Sequence, residues 1–194
     1  MKIKHAESKE FSLRKGKNKK LDSKKSPLRK LMNFFIFIFS AAVLGYGLVT
    51  FFFQTVTMPG PSMEPTINDG DVLIINKIVY VFSDVKRNDI VAIKRMEKDK
   101  YFDVKRVVAL PGDEVSIQSG KLMVNGKLAS DEYLSVNGDI LNKGILSETI
   151  TLGKDEYFVI GDNTSSSDDS RFKSYGMVQK TDIRGKVICK IKDK

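Results

Sequence analysis

Apolar and polar positions follow two different patterns in this chain, and the change falls near residue 54. From Leu31 to Met63 there is no charged residue, and Phe34–Phe53 is a nearly continuous apolar run of 20 residues. At about 1.5 Å per helical residue this run extends roughly 30 Å, the thickness of the hydrocarbon core of a bilayer. The pattern predicts one transmembrane helix over residues 31–53. A cleavable signal peptide usually has a shorter apolar region of about 7–15 residues that ends at a small-x-small site. We therefore expect an uncleaved helix.

Beyond residue 54 the pattern shortens to runs of four to ten residues that are rich in Val and Ile and separated by Gly, Asn, Asp or Pro. Such runs predict β-strands, and no helical period longer than about two turns interrupts them. The predicted strands are Asp71–Lys77, Asp89–Lys94, Tyr101–Leu110, Glu114–Gln118, Lys121–Val124, Glu156–Asp162 and Ile183–Lys192. Asn125-Gly126 predicts a type I′ hairpin turn. We expect a mainly β fold, an antiparallel sheet or barrel over residues 54–194, with a small inserted lobe at about 113–155.

The net charge of +9 resides in the first 30 residues, which hold twelve Lys/Arg and three Asp/Glu. Residues 31–194 are neutral overall, so a nucleic-acid-binding domain is not expected. Residues 1–30 predict a disordered cytoplasmic tail, because basic residues stay inside. This places a single-pass protein in the cell membrane, in contact with lipid, with residues 54–194 on the outer face.

Composition also limits the chemistry. The only histidine, His5, lies in the tail, so the outer domain has neither a His-based triad nor a His-based zinc site. The only cysteine, Cys189, lies in the alternating stretch "KVICKIK", and we expect it to be a small core residue. A serine nucleophile would therefore need a carboxylate or a lysine as its base.

The stretch "MPGPSMEPTINDGD" (Met58–Asp71) holds one serine, Ser62, which lies between prolines. Proline fixes its own φ and favours extended backbone in the residue before it, so we expect an extended, stiff approach to Ser62. A preorganised hydroxyl suits a nucleophile. A stiff stalk above the membrane helix is the alternative.

The stretch "YFDVKRVVAL" is largely apolar on both faces, so Lys105 or Arg106 is expected to be buried. A buried lysine can become neutral and act as a base, whereas arginine stays charged. In the alternative, Lys105 extends to solvent or pairs with Asp103.

A third stretch, "GDNTSSSDDSRFKSYG" (Gly161–Gly176), follows an apolar strand and contains little that could pack. Such a loop is typical of a functional site or of a disordered tip. Its carboxylates could bind a hard cation, but no Ca²⁺-loop spacing is present. We expect no metal and no cofactor. Asp169 and Arg171 are close enough in sequence to form an ion pair.

In this order the three stretches resemble the boxes of bacterial type I signal peptidases, most closely the Gram-positive members. The resemblance implies a membrane-anchored serine protease that cleaves secreted precursors after Ala-x-Ala through an acyl-enzyme. It makes Ser62 the nucleophile, Lys105 the general base and the Ser62 N–H an oxyanion donor. Supporting positions fall on Ser167 (a hydroxyl bonded to the lysine), on Asp169 and Arg171 (an ion pair), and on Asp162 and Arg106. Gly60 stands where some members have a serine as second oxyanion donor.

Two further functions stay open from the sequence. A self-cleaving Ser/Lys protease like the SOS repressors would share the catalytic residues, but those proteins are soluble and carry a DNA-binding domain. A membrane-tethered binding domain of the secretion or cell-wall machinery would keep the fold without the activity. Acylation by a serine-reactive probe distinguishes an enzyme from such a binding domain.

Overall fold

The computed structural model describes residues 27–94, 102–129 and 140–191, and most of the predicted tail lies outside these ranges. The chain divides into two compact units, the first ending at Tyr46 and the second beginning at Gly47. The boundaries predicted for the tail, helix, outer domain and lobe stay predictions.

The helix α1 extends over Pro27–Phe52, and none of its residues is buried. It is the one helix within the described residues that is long and apolar enough to cross a membrane. It begins a few residues before the predicted segment 31–53. Proline suits the first helical position, because its missing N–H would have no intrahelical partner there.

An antiparallel seven-stranded sheet dominates the second unit, with the strand order β1-β2-β11-β3-β4-β9-β10. Its strands are β1 (Phe53–Thr57), β2 (Val72–Asn76), β3 (Ile90–Lys94), β4 (Phe102–Ala109), β9 (Glu156–Ile160), β10 (Val178–Gln179) and β11 (Ile183–Ile191). A one-turn helix α2 (Val79–Phe82) follows β2. The mainly β antiparallel fold predicted from the sequence is confirmed. Strands β1 and β10 were missed, since β1 continues the apolar run of α1 and β10 has only two residues.

A second antiparallel sheet has the order β7-β6-β5-β8. Its strands are β5 (Glu114–Gln118), β6 (Lys121–Val124), β7 (Lys127–Leu128) and β8 (Ile150–Thr151), with a 3-10 turn at Gly144–Ser147. Asn125 and Gly126 have φ of 52° and 72°, and Val124 pairs with Lys127 across them. Positive φ at both central residues is the signature of a type I′ turn, so this hairpin prediction is confirmed.

Cys189 is exposed, which contradicts its predicted place in the core. It lies on β11 opposite Ile74 of β2, after a register shift at Val187/Cys189. Alternation predicted the strand correctly, but periodicity does not tell which face of a sheet is covered. The residues from Ile188 to Ile191 are all exposed.

Asp113 fixes the turn between β4 and β5. Its carboxylate accepts hydrogen bonds from the Leu110 N–H at 2.7 Å, from Arg87 at 2.6 Å and from Asn125 at 2.8 Å. Desolvation raises the pKa of Asp113, but these hydrogen bonds outweigh it and hold the pKa below its ordinary value. A depressed folded-state pKa stabilises the protein above the unfolded pKa of about 3.9, and the contribution disappears as the pH falls through the folded value.

We therefore expect Asp113→Asn to lower the free energy of unfolding by roughly 1–3 kcal/mol at pH 7, because charge-assisted hydrogen bonds are lost. The difference from wild type should shrink as the pH falls below about 3.9, because Asp113 is then protonated in the unfolded chain and, at its lower folded-state pKa, in the folded protein. Unfolding curves at pH 7 and at a pH below about 3.9 test this. The control is Glu114→Gln, which changes the exposed neighbouring residue. A deficit of equal size at both pH values would contradict the assignment.

Candidate active site

The loop that carries Ser62 is closed at its base by backbone hydrogen bonds. The Met58 N–H donates to Asp71 O at 2.8 Å, and the Gly70 N–H donates to Met58 O at 3.1 Å. Met58 and Met63 are buried, in one cluster with Ile67, Leu73 and Val104. Burying each of these side chains stabilises the fold by about 1.5–3 kcal/mol. The loop is therefore fixed to the main sheet by its own apolar residues.

The approach to Ser62 is not extended throughout, which corrects one prediction. Gly60 has φ of +83°, in the left-handed region that glycine adopts without a steric penalty. Its N–H donates to Asp69 Oδ1 at 2.7 Å. After it the chain turns, and the Glu64 N–H donates to Pro61 O at 3.1 Å. Glycine permits this bend before Pro61, where a residue with a Cβ would be held extended.

Lys105 lies in the middle of β4 and pairs with Val91 of β3. Its Nζ is 2.9 Å from Ser62 Oγ, although the two residues are 43 positions apart. Lys105 is 5% exposed and Ser62 is 8% exposed, so the lysine does not extend to solvent. The structure thus joins the two residues predicted as nucleophile and base in a buried contact.

Arg106, the neighbour of Lys105, forms a buried two-pronged ion pair with Asp162. The Nε–Oδ1 and Nη2–Oδ2 distances are 2.8 and 2.6 Å. The Thr66 hydroxyl donates to Asp162 Oδ2 at 2.5 Å. Asp162 therefore connects β4 with the Ser62 loop, and both predicted basic groups of β4 are buried.

Asp169 and Arg171 form the second buried ion pair, with Nε–Oδ1 and Nη2–Oδ2 distances of 2.8 and 3.0 Å. Asp169 is fully buried and Arg171 is 1% exposed. Arg171 Nη2 also donates to Thr164 O at 2.7 Å, and Asp169 Oδ2 accepts from the Gly161 N–H at 3.1 Å. The pair holds the loop 161–171 from inside.

Ser167 is buried beside Ser62, but its Oγ has no hydrogen-bond partner among the described residues. The bond to Lys105 that the family resemblance implies is therefore not formed in this structure. A Cβ at Gly161 would collide with Ser167 Oγ and Ser62 O. The Asn163 N–H donates to Ser62 O at 3.0 Å. Because Gly161 has no side chain, the loop 161–171, here called the last loop, can contact the backbone of Ser62.

These contacts assemble a hydroxyl and an amine in a buried site that two ion pairs surround. Within residues 27–94, 102–129 and 140–191, no group of three or more His, Cys, Asp or Glu side chains is placed to hold a metal ion. An adjacent hydroxyl and amine can carry out acyl transfer when the amine accepts the proton of the hydroxyl.

The family model for signal peptidase, peptidase S26, matches residues 31–191. The chain belongs to this family. It is 36% identical over 169 residues to signal peptidase I P of Bacillus subtilis subsp. natto, covering 84% of this chain and 90% of the relative. It is 32% identical over 174 residues to signal peptidase IB of Staphylococcus aureus, covering 82% of this chain and 88% of the relative.

A crystal structure of a signal peptidase I from Enterococcus faecalis matches with 28% identity and a TM-score of 0.43, covering 55% of this chain and 98% of that chain. Membership of the signal peptidase family supports removal of signal peptides by a serine protease. It confirms the resemblance read from the three stretches.

The sequence did not predict the part that two residues play in organising this candidate site. Thr66 and Asn163 lie inside the stretches around Ser62 and Asp162, yet their partners are about 100 positions away. Their place in those stretches was the available signal. No local spacing rule predicts which hydroxyl or N–H donates a hydrogen bond to the other loop.

Proposed function

We propose that this chain is a membrane-bound serine endopeptidase that removes signal peptides after an Ala-x-Ala-like site, using Ser62 and Lys105. The observation that supports this most strongly is the buried 2.9 Å contact between Lys105 Nζ and Ser62 Oγ. Desolvation disfavours the ammonium form of a lysine, and a neutral amine can accept a proton. A buried lysine beside a serine hydroxyl therefore suits the role of general base.

The reaction proceeds in two steps. Ser62 Oγ attacks the scissile carbonyl carbon while Lys105 Nζ takes the hydroxyl proton and passes it to the leaving amine. The mature protein departs and the signal peptide stays on Ser62 as an ester. Lys105 then deprotonates a water molecule that attacks this ester, which releases the signal peptide carboxylate and restores the hydroxyl.

The Ser62 N–H serves as one oxyanion donor, since it donates to no acceptor within the described residues. Proline 61 has no N–H, and the Gly60 N–H is already bonded to Asp69. A second donor must therefore come from outside these two residues. One oxyanion donor contributes about 2.7–4 kcal/mol to transition-state stabilisation.

The other predicted residues support this pair. Arg106 and Asp162 hold β4 against the Ser62 loop, and Asp169 and Arg171 hold the last loop. The buried Ser167 hydroxyl supports the lysine once a substrate is bound. No cofactor, metal or nucleic acid takes part.

The precursor binds as an added strand. Strand β1 lies at the edge of the seven-stranded sheet and leads directly into the Ser62 loop. An exposed edge accepts an extended peptide through backbone hydrogen bonds. Ser62 is nine positions after Phe53, so the two residues can be at most about 30 Å apart. With the tail in the cytoplasm, the site stays near the outer surface of the cell membrane, where precursors emerge.

Incubation of the full chain with a model precursor containing Ala-x-Ala tests the proposed function. We expect one cut after the second alanine, identified by N-terminal sequencing of the product. A matched precursor with Phe in place of that alanine serves as the control and should remain intact. Cleavage of both precursors at unrelated positions would contradict the proposal.

A further inference from the structure

The 3-10 turn Gly144–Ser147 lies against the backbone at the end of the last loop. The Ile145 N–H donates to Arg171 O at 2.7 Å. A Cβ at Gly144 would collide with the same carbonyl oxygen. Gly144 also has φ of +54°, in the left-handed region that glycine adopts without a steric penalty. This close approach between two distant segments therefore requires glycine at position 144.

The same turn is anchored in the hydrophobic core. Leu146 is 1% exposed and belongs to one buried cluster with Leu152 and with Phe158 of β9. Before the turn, Asn142 Oδ1 accepts a hydrogen bond from the Gly144 N–H at 3.1 Å. Because its core residue and its first N–H are both held, the turn offers the Arg171 carbonyl a fixed partner.

Arg171 connects this turn with the candidate active site. Its Nη2 donates to Thr164 O at 2.7 Å and to Ser167 O at 3.4 Å. Directly before Thr164, the Asn163 N–H donates to Ser62 O at 3.0 Å. The turn therefore holds the carbonyl of Arg171, while the guanidinium of the same residue holds the part of the last loop that contacts the backbone of Ser62.

We propose that Gly144 and Ile145 are positioning residues for the candidate active site, acting through Arg171 on the last loop. Because the turn is anchored in the core, a side chain at 144 must displace the Arg171 carbonyl, and the last loop moves with it. A misplacement of about 1 Å can lower a catalytic rate about a hundredfold. The effect on catalysis rests on the proposed function, whereas the coupling between the turn and the last loop does not.

Gly144→Ala in the full chain tests this coupling. We expect kcat for the Ala-x-Ala precursor to fall about tenfold to a hundredfold, with KM within about twofold of wild type. KM should change little because the precursor is proposed to bind along β1, whereas the turn packs with β9, near the opposite edge of the seven-stranded sheet.

Gly126→Ala is the matched control. Gly126 also has a left-handed φ, +72°, and nothing lies within 4 Å of a Cβ built there. The same change therefore imposes the same kind of backbone strain without a collision. Gly126→Ala should cleave at the wild-type rate.

Two further measurements distinguish positioning from a smaller folded fraction. Fewer folded molecules lower the rate equally at every pH, whereas a displaced last loop admits water to Lys105. Water stabilises the ammonium form, so the ascending limb of the pH–rate profile should move to higher pH in Gly144→Ala but not in Gly126→Ala. Without any substrate, amide hydrogen exchange in the last loop should be faster in Gly144→Ala and unchanged in Gly126→Ala.

Asn142→Ala is a milder variant that keeps glycine at 144. It removes the side-chain acceptor of the Gly144 N–H and should lower kcat about two- to fivefold. Its control is Lys143→Ala, which truncates the exposed neighbour and should cleave at the wild-type rate.

Equal losses in Gly144→Ala and Gly126→Ala, or wild-type exchange and a wild-type pH profile in Gly144→Ala, would overturn the proposal. If Gly144→Ala does not fold, a wild-type rate in Asn142→Ala would overturn it. Faster exchange of the last loop in Gly144→Ala, together with a wild-type chain that cleaves no precursor, would contradict only the proposed function.

Discussion

Ser62→Ala and Lys105→Ala will each lower the cleavage of a model precursor by about a thousandfold or more. The first change removes the attacking oxygen, and the second removes the one amine within hydrogen-bond distance of it among the described residues. Because the two groups act as a unit, the double variant should be hardly worse than either single variant. Rates from gel-based processing assays with purified full chain measure this directly.

Two exposed positions provide controls for these substitutions. Ser83→Ala and Lys121→Ala remove the same chemical groups away from the site and should cleave at the wild-type rate. A serine-reactive penem should label the wild type but leave Ser62→Ala unlabelled. Wild-type processing by either Ser62→Ala or Lys105→Ala, with unfolding transitions intact, would rule out the assigned nucleophile or base.

Arg171→Ala will lower the free energy of unfolding by about 3–5 kcal/mol and reduce activity with it. The substitution leaves the fully buried Asp169 carboxylate without its partner and removes the donor to Thr164 O. The last loop contacts Ser62 through the Asn163 N–H, so loosening it also disturbs the nucleophile. Denaturant unfolding monitored by circular dichroism gives the stability change.

A double-mutant cycle separates the ion pair from simple loss of packing. Asp169→Ala together with Arg171→Ala should cost less than the two single changes added, because no unpaired buried charge remains. Arg184→Ala, which truncates an exposed arginine on β11, should be within about 0.5 kcal/mol of wild type. Additive single and double costs would show that the two side chains are not coupled.

The local sequence pattern was sufficient to predict most of the strands and the pair Ser62 and Lys105 of the candidate site. Runs rich in Val and Ile predicted every strand of four or more residues except β1, and Asn125-Gly126 predicted the hairpin turn, because both signals act between neighbouring residues. Because no histidine lies outside the tail, a serine nucleophile needs a carboxylate or a lysine as its base, and the apolar pattern around Lys105 favoured that residue. The ordered stretches then identified the family.

Contacts between distant segments were decided only by the tertiary structure. Register and sheet order bring Lys105 to Ser62 and expose Cys189, while the alternation along β11 is the same whichever face is covered. The bend at Gly60 is accompanied by a hydrogen bond to Asp69, nine positions away, and the absence of a side chain at Gly161 leaves room for Ser167 and for the backbone of Ser62. Sequence periodicity indicates the secondary structure that each segment forms. Which buried groups face each other is set by the packing of segments far apart in the chain, and no local spacing encodes it.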